Sequence, residues 1–352
     1  MTTAHAPAPL TGPPGHPRRS GSHLTIPGAR PFPVASRKLL AWTTAAIAVV
    51  AGFSWTGPPA RIIIVVLATA VLATTSVRFS GRNLCSWACT WISYRLLQHD
   101  DRSQTADPLR SLAHDFRLRR YCDRAGHQFG IAGVGDGWSA VIRIHGEPPV
   151  ATLLAALASA CADTEIPLAG AQLTVRTQGP ERVLLLAVRY RPAAAPFAAL
   201  LRGDGEDGEL CATARAALAL MATIARSGVR SALLGLDELA TELRAALGPC
   251  DPGAEVTDGW RRWAAGEVTQ SCFTTLGTVD LADALPADAP TAPFTVASYT
   301  LWRTGNGTLR ENVTVRLAPG PGPAAWAGVP VVPLYGRQAS GMRRTMPLAL
   351  SC

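Results

Sequence analysis

The sequence has no acidic residue before Asp100, no histidine after His145, and one lysine, Lys38. Only 16% of its residues are charged, against 48% hydrophobic. Each shortage excludes something. No G-x-x-x-x-G-K-[ST] run exists, so there is no phosphate cradle of the P-loop kind. No G-x-S-x-G elbow presents a serine nucleophile. The histidines show no metal-ligand spacing, and the eight cysteines contain no C-x-x-C pair. Cys85 and Cys89 lie at helical i,i+4 spacing, but two thiols without further ligands do not hold zinc. The scattered cysteines read as reduced thiols of a cytoplasmic protein. Gly133, Gly135 and Gly137 separate two β-type runs rather than opening a helix, so they fit a turn and not a dinucleotide site.

The shortage of acid at one end explains the net charge of +8. Arg18, Arg19, Arg30, Arg37, Lys38 and Arg61 stand in residues 1–77 without a single carboxylate, while the remainder is nearly balanced. A basic face on the folded part, which nucleic-acid binding would need, is therefore not indicated. Residues 1–36, rich in Pro, Gly, Ala and Ser, read as a disordered tail.

Two long uncharged runs follow. Leu39–Trp55 and Ile62–Val77 are separated by Thr56-Gly-Pro-Pro-Ala60 and Arg61. At 1.5 Å per residue each reaches roughly 25 Å, close to a hydrocarbon core of about 30 Å. They predict a transmembrane hairpin over 37–78, with spans at 39–55 and 61–77. Arg37 and Lys38 before it and Arg78 and Arg82 after it place both termini in the cytoplasm by the positive-inside rule. A cleaved signal peptide would need an unusually long n-region.

Ser80–Gln98 follows at once. As a helix it gathers Leu84, Trp87, Trp91 and Tyr94 on one face, a candidate interface with lipid headgroups or a partner helix. An ordinary core helix is the competing reading. Residues 79–120 read as this helix plus a charged, solvated connector. From Tyr121 to Ala318 alternating runs, turns and helices predict an α/β or α+β domain with a mixed β-sheet and flanking helices. Its elements include Phe129–Val134 and Trp138–His145 about a Gly135-Asp136 turn, a helix over Leu210–Arg226, and a hairpin of Phe294–Arg303 with Leu309–Leu317. Residues 319–352 read as a Pro/Gly-rich C-terminal segment.

One acidic loop stands out, Asp204, Glu206, Asp207 and Glu209 within LRGDGEDGEL. Carboxylates so spaced can bind a divalent cation. A solvated loop whose acids favour the following helix N-terminus is the simpler reading. No catalytic, cofactor or metal residue is assigned.

The order of these features resembles a known family. GRNLCSWACTWISYRLL leads to YCDRAGHQFGIAGVGDGWSAVIRI, then PLAGAQLTVRT, GVRSALLGLDELATELRAALG and FTTLGTVDLADAL. TVASYTLWRTGNGTLRENVTVRLA and VPVVPLYGRQ complete the series. Over most of residues 38–340 the chain resembles the EccE component of the actinobacterial type VII secretion system. The resemblance implies a non-enzymatic subunit of a membrane complex, with other Ecc proteins and the lipid bilayer as partners, a separate ATPase, no cofactor and no nucleic acid. Two rival readings remain: a membrane-anchored transferase-like enzyme, using the 204–209 carboxylates for a metal, and a regulatory binding protein.

Overall fold

A computed structural model describes residues 57–79, 82–97, 103–104, 107–113, 115–251, 253–275, 292–304, 307–318, 325–326 and 329–350, together with Thr43, Ala46, Ile47 and Val50. The predicted span 39–55 otherwise lies outside the described residues, as do residues 1–36. The second span falls in helix α1, Pro58–Ser76. The helix begins at the prolines that the sequence reading gave to the turn. Proline suits a first helical turn, where its missing N–H has no partner to lose. Ile62, Ile63, Val66 and Leu67 of α1 are 60–66% exposed.

Strands β1 (Arg78–Phe79) and β2 (Arg82–Asn83) form a small ladder, and helix α2 (Leu84–Leu97) follows. The expected connector is largely structured. It contains β3 (Ser103–Gln104), helix α3 (Pro108–Leu112) and β4 (Arg117–Cys122). Asp107 caps α3 by accepting from the Leu109 N–H at 3.1 Å, and Leu109 and Leu112 are buried. Charge count alone hid those two leucines.

The remaining elements are β5 (Gln128–Val134), β6 (Gly137–His145), α4 (Val150–Ala162), β7 (Gly170–Gln178), β8 (Glu181–Tyr190), α5 (Pro196–Leu200), α6 (Gly205–Arg226), β9 (Arg230–Leu233) and α7 (Leu236–Leu247). Then come β10 (Val256–Asp258), β11 (Trp263–Ala265), β12 (Val268–Thr275), β13 (Phe294–Arg303), β14 (Leu309–Ala318), β15 (Ala325–Trp326), β16 (Val329–Pro333) and α8 (Gln338–Thr345). One sheet runs in the order β3-β10-β11-β12-β14-β13-β7-β8-β6-β5-β4, with β9 on β6 and β16 on β12. Every described strand pair is antiparallel. The expected mixed sheet is thus corrected to an antiparallel one. Helices here create no parallel neighbours: α4 carries the chain from β6 to β7, two strands that run the same way, but antiparallel β8 lies between them.

The sheet repeats itself. From its centre, where β7 pairs with β13, each side reads hairpin partner, returning strand, hairpin, edge: β7-β8-β6-β5-β4 and β13-β14-β12-β11-β10. The β5–β6 and β11–β12 hairpins both turn on a glycine of near-identical positive φ, 58° at Gly135 and 59° at Gly266. β9 and β16 each add a strand and lead into a helix. Leu234 and Leu334, at the same point after those strands, donate to the carbonyls of Val141 (3.1 Å) and Cys272 (2.9 Å). Helices α7 and α8 then bury Leu239, Leu243 and Met342, with Met346 just past α8, in one core. The two units also hold each other's ends. Ser139 of β6 donates to the Leu348 carbonyl beyond α8 at 2.7 Å. Gln270 of β12 donates to the Leu247 carbonyl at the end of α7 at 2.6 Å. The domain is two copies of one β-β-β…β-β…β-α unit about a pseudo-twofold axis between β7 and β13.

The opposite face carries α4 and α6, with Leu153, Leu157, Leu220 and Ile224 in the second core. Neighbouring residues of β6, Val141 and Ile142, enter different cores, as period-two alternation requires. The C-terminal segment is therefore integral: β16 pairs with β12, and Met346, Leu348 and Ala349 are buried. Gly and Pro marked the turns of that segment and concealed the strand and helix between them.

Several charges are buried inside this double unit. Glu242 of α7 bonds Arg143 and lies 3.5 Å from Arg176. Arg316 is fully buried with no carboxylate among its described partners. It donates to the Ala246 carbonyl, near the C-terminus of α7, and packs 5.4 Å from the Phe294 ring. A cation is favoured at a helix C-terminus. Burial still pulls its pKa down to about 10, as it does for Arg189, which donates to the Val134 carbonyl at 2.6 Å.

Candidate partner interface on the juxtamembrane helix

Helix α2 has no charged side chain except Arg95 near its end. Its 14 residues give it almost four turns, and aromatic residues recur at 87, 91 and 94. The structure splits that stripe. Trp87 and Tyr94, seven residues apart, point at the domain. Trp87 meets Trp260 at 6.1 Å and Tyr335 at 5.6 Å between ring centroids. Tyr94 meets Trp260 edge-on at 5.0 Å, and Trp260 lies 6.5 Å from Tyr335. Thr90, on the same face between them, is buried, and its hydroxyl donates back to the Ser86 carbonyl at 2.8 Å.

Two turns of the second unit supply the receiving surface. Trp260 stands in the β10–β11 turn and Tyr335 in the turn between β16 and α8. Gly336 fastens one to the other, donating its N–H to the Trp260 carbonyl at 2.7 Å. Its φ is +69°, and a Cβ there would stand 2.4 Å from Trp260 Cζ3 and 3.1 Å from Thr90 Cγ2. Only glycine allows the helix, the indole and the turn to close on one another.

The other side of α2 faces outward. Trp91 is 50% exposed, Leu84 38%, Ile92 49% and Leu96 75%. The Arg95 guanidinium lies 5.4 Å from the centroid of the Trp91 ring. Of the four candidate interface residues, Trp87 and Tyr94 are thus engaged within the chain, while Leu84 and Trp91 face outward. Trp260, Tyr335 and Gly336 were not singled out in the sequence. Their signal was weak: an indole and a phenol, each in a turn, far apart along the chain.

The acidic loop gives a different picture. Its carboxylates diverge. Glu206 pairs with Arg119 at 2.6 Å. Glu209 accepts from the indole of fully buried Trp138 at 2.6 Å. Asp204 and Asp207 are exposed at the start of α6. Among the described residues no three His, Cys, Asp or Glu side chains converge as a metal site would need. His127 bonds Asp123 at 3.1 Å in an exposed turn. Six described cysteines are free thiols; burial pushes Cys161 up to about 11 and Cys272 to about 12, away from reactivity.

Helix α6 has the length and apolarity of a membrane span, with a mean hydropathy of 1.3. Half of it is buried, and it packs on the sheet through Ala212, Ala217 and Ile224. It is a core helix.

No curated protein matches the chain. Residues 180–275, from the β7–β8 turn through α6 and α7 to the end of β12, match the family model described as "Putative type VII ESX secretion system translocon, EccE". The match covers 96 of the 352 residues and supports an EccE identification, that is, similarity to a component of a type VII secretion translocon.

Proposed function

We propose that this chain is a non-catalytic structural subunit of the type VII secretion membrane complex. In this reading residues 39–55 and 61–77 span the cell membrane with both termini in the cytoplasm, and residues 121–318 with the C-terminal segment form the cytoplasmic domain. The outward face of α2, centred on Leu84 and Trp91, docks on other Ecc subunits or lipid headgroups. The observation that carries the reading is the division of α2 into two faces. Trp87, Thr90 and Tyr94 fix it to the folded domain. Trp91, Ile92 and Leu96 remain uncovered directly behind a 19-residue apolar helix. Contiguous exposed apolar side chains of this kind fit a contact surface, and large aromatic side chains dominate such contacts.

The test is extraction in mild detergent followed by native sizing. The parent chain is expected in a large assembly with other Ecc proteins. Trp91→Glu with Ile92→Glu is expected to shift it to the free form while the domain keeps its thermal midpoint. A parent chain that runs as a monodisperse monomer without Ecc proteins overturns the proposal.

A further inference from the structure

The helix-bearing face of the first unit carries a second uncovered apolar surface, far along the chain from α2. It follows α6. Between Arg215 and Arg226 this helix has ten residues without a charge, AALALMATIA. Ala216, Ala217, Leu220 and Ile224 turn into the core. Ala219, Ala222 and Ala225 are exposed. A helix that faced only water would carry charge there. Beside it, between α4 and α6, runs a groove of about 890 Å³ lined by Ala160, Ile166, Leu218 and Ala222. A second hollow of about 650 Å³ continues it past Arg215 and Leu218 to Leu201 and the β4–β5 turn. Next to that hollow Phe197, Leu200 and Leu201 are 76%, 63% and 82% exposed. These three form the most exposed apolar cluster on the folded domain among the described residues.

Apart from exposed Asp163, whose carboxylate accepts the Glu165 N–H at 2.9 Å, the unpaired charges on the rim of this groove are basic. Arg202 is held by Glu165 at 2.6 Å, and Asp123 is held by His127 and by the Ala125 and His127 N–H groups. Arg124, Arg215 and Arg226 have no carboxylate within ion-pair distance among the described residues. Among the described residues, the Arg226 guanidinium donates to the Thr223 hydroxyl at 3.1 Å and to no carboxylate. Arg215 and Arg226 stand eleven residues apart on the same helix, roughly 16 Å at 1.5 Å per residue. That is about three turns of a helix laid alongside. Alanines at 219 and 222 let a partner backbone approach closely.

We infer that the groove along α6 docks an acidic amphipathic helix of another subunit. Its apolar face lies on the alanines and on Leu201 and Phe197, and carboxylates near its two ends meet Arg215 and Arg226. This is the helix-in-groove mode of recognition, with anchors on one face and charges fixing the register. The inference rests on the reading of the chain as a complex subunit, and it adds a site remote from α2 together with the chemistry of its occupant.

The experiment uses the full chain in its membrane complex. A photo-reactive benzophenone amino acid replaces Ala222 in one variant and Trp91 in another, and cross-linked peptides are identified by mass spectrometry after irradiation. The expected result is a cross-link from position 222 to an acidic, helix-forming segment of another protein of the complex. Adding Arg215→Glu and Arg226→Glu should lower its yield at least tenfold while the position-91 cross-link is unchanged. A cross-link from 222 to a second copy of this chain or to lipid overturns the inference. So does no cross-link at 222 while 91 labels a partner, or a yield that ignores both charge reversals. Failure at both positions sinks the subunit reading itself.

Discussion

Replacing Trp260 by alanine should release α2 from the domain without unfolding the sheet. The indole makes three ring contacts, with Trp87, Tyr94 and Tyr335, at 5.0–6.5 Å. Aromatic pairs contribute about 0.5–1.5 kcal/mol each beyond area burial. A buried tryptophan truncated to alanine costs about 3–5 kcal/mol, but Trp260 is only half-buried. Together these give a loss of about 2–3 kcal/mol in docking. At 1.4 kcal/mol per factor of ten, opening of α2 becomes roughly 30- to 150-fold more frequent. Hydrogen exchange on the detergent-solubilised chain reads this directly. Peptides covering Leu84–Leu97 should lose protection by that factor, while peptides from β7 and β13 at the sheet centre keep theirs. Unchanged exchange in α2 would show that Trp260 does not hold it. Equal loss throughout the domain would show that the indole belongs to the core, and either result refutes the argument.

Three further outcomes are expected from the buried charges. Glu242→Leu leaves part-exposed Arg143 without its carboxylate and Arg176 with only Glu181 at 3.6 Å, and should cost about 2–3 kcal/mol, less than a fully orphaned buried pair, with partial recovery on adding Arg176→Met, as read by chemical denaturation. Arg316→Ala should destabilise by about 3 kcal/mol or more, through a cavity and an orphaned Ala246 carbonyl, whereas Arg316→Met should lie within about 2 kcal/mol of the parent because it removes a desolvated charge. Burial raises Cys161 to about 11 and Cys272 to about 12 against an ordinary thiol near 9. A raised acid pKa stabilises the fold fully below the unfolded value and less as pH climbs above it, so the denaturation midpoint should fall between about pH 8.5 and 10. The double variant Cys161→Ala, Cys272→Ala should flatten that fall, and an identical slope in parent and variant would contradict it.

The local elements were legible in the sequence because local chemistry sets them. The Gly135-Asp136 turn, the strands on either side of it and the Phe294–Leu317 hairpin follow from turn residues and β-branched runs. Leu210–Arg226 showed its apolar period, although the helix starts one and a half turns earlier, at Gly205, in a loop whose acids suit an N-terminus. Sheet direction was not legible. Helices alternating with hairpins suggest a mixed sheet, yet β6 and β7, joined by α4 and running the same way, are kept apart by antiparallel β8. Only long-range pairing decides that. The candidate interface was half legible for the same reason. Periodicity put Trp87, Trp91 and Tyr94 on one face, but which of them the domain covers depends on Trp260 and Tyr335, more than 160 residues downstream.

The repeat explains why those two residues matter. In the first unit Phe129, where β5 begins, stacks on Tyr121 of β4 at 5.8 Å and packs with Leu210 and Ala214 of α6. In the second unit the turn leading into β11 carries Trp260, and it packs on α2. The same place in the two units therefore receives a helix, one from inside the domain and one from the membrane side. No repeat shows in the sequence, because β6 (GWSAVIRIH) and β12 (VTQSCFTT) share little beyond alternation. Ser139 and Gln270 differ as side chains, yet each holds the end of the other unit's helix. Since α7 and α8 are tied across the axis in this way, a displacement of α2 at Trp260 bears on β11 and, through β12, on the end of α7. Coupling of this kind is reciprocal, so Gln270→Ala, which frees the Leu247 carbonyl, should raise exchange at the C-terminus of α7 and also, by a smaller factor, in α2. Exchange rising at α7 alone would show that α2 is not coupled to the end of that helix.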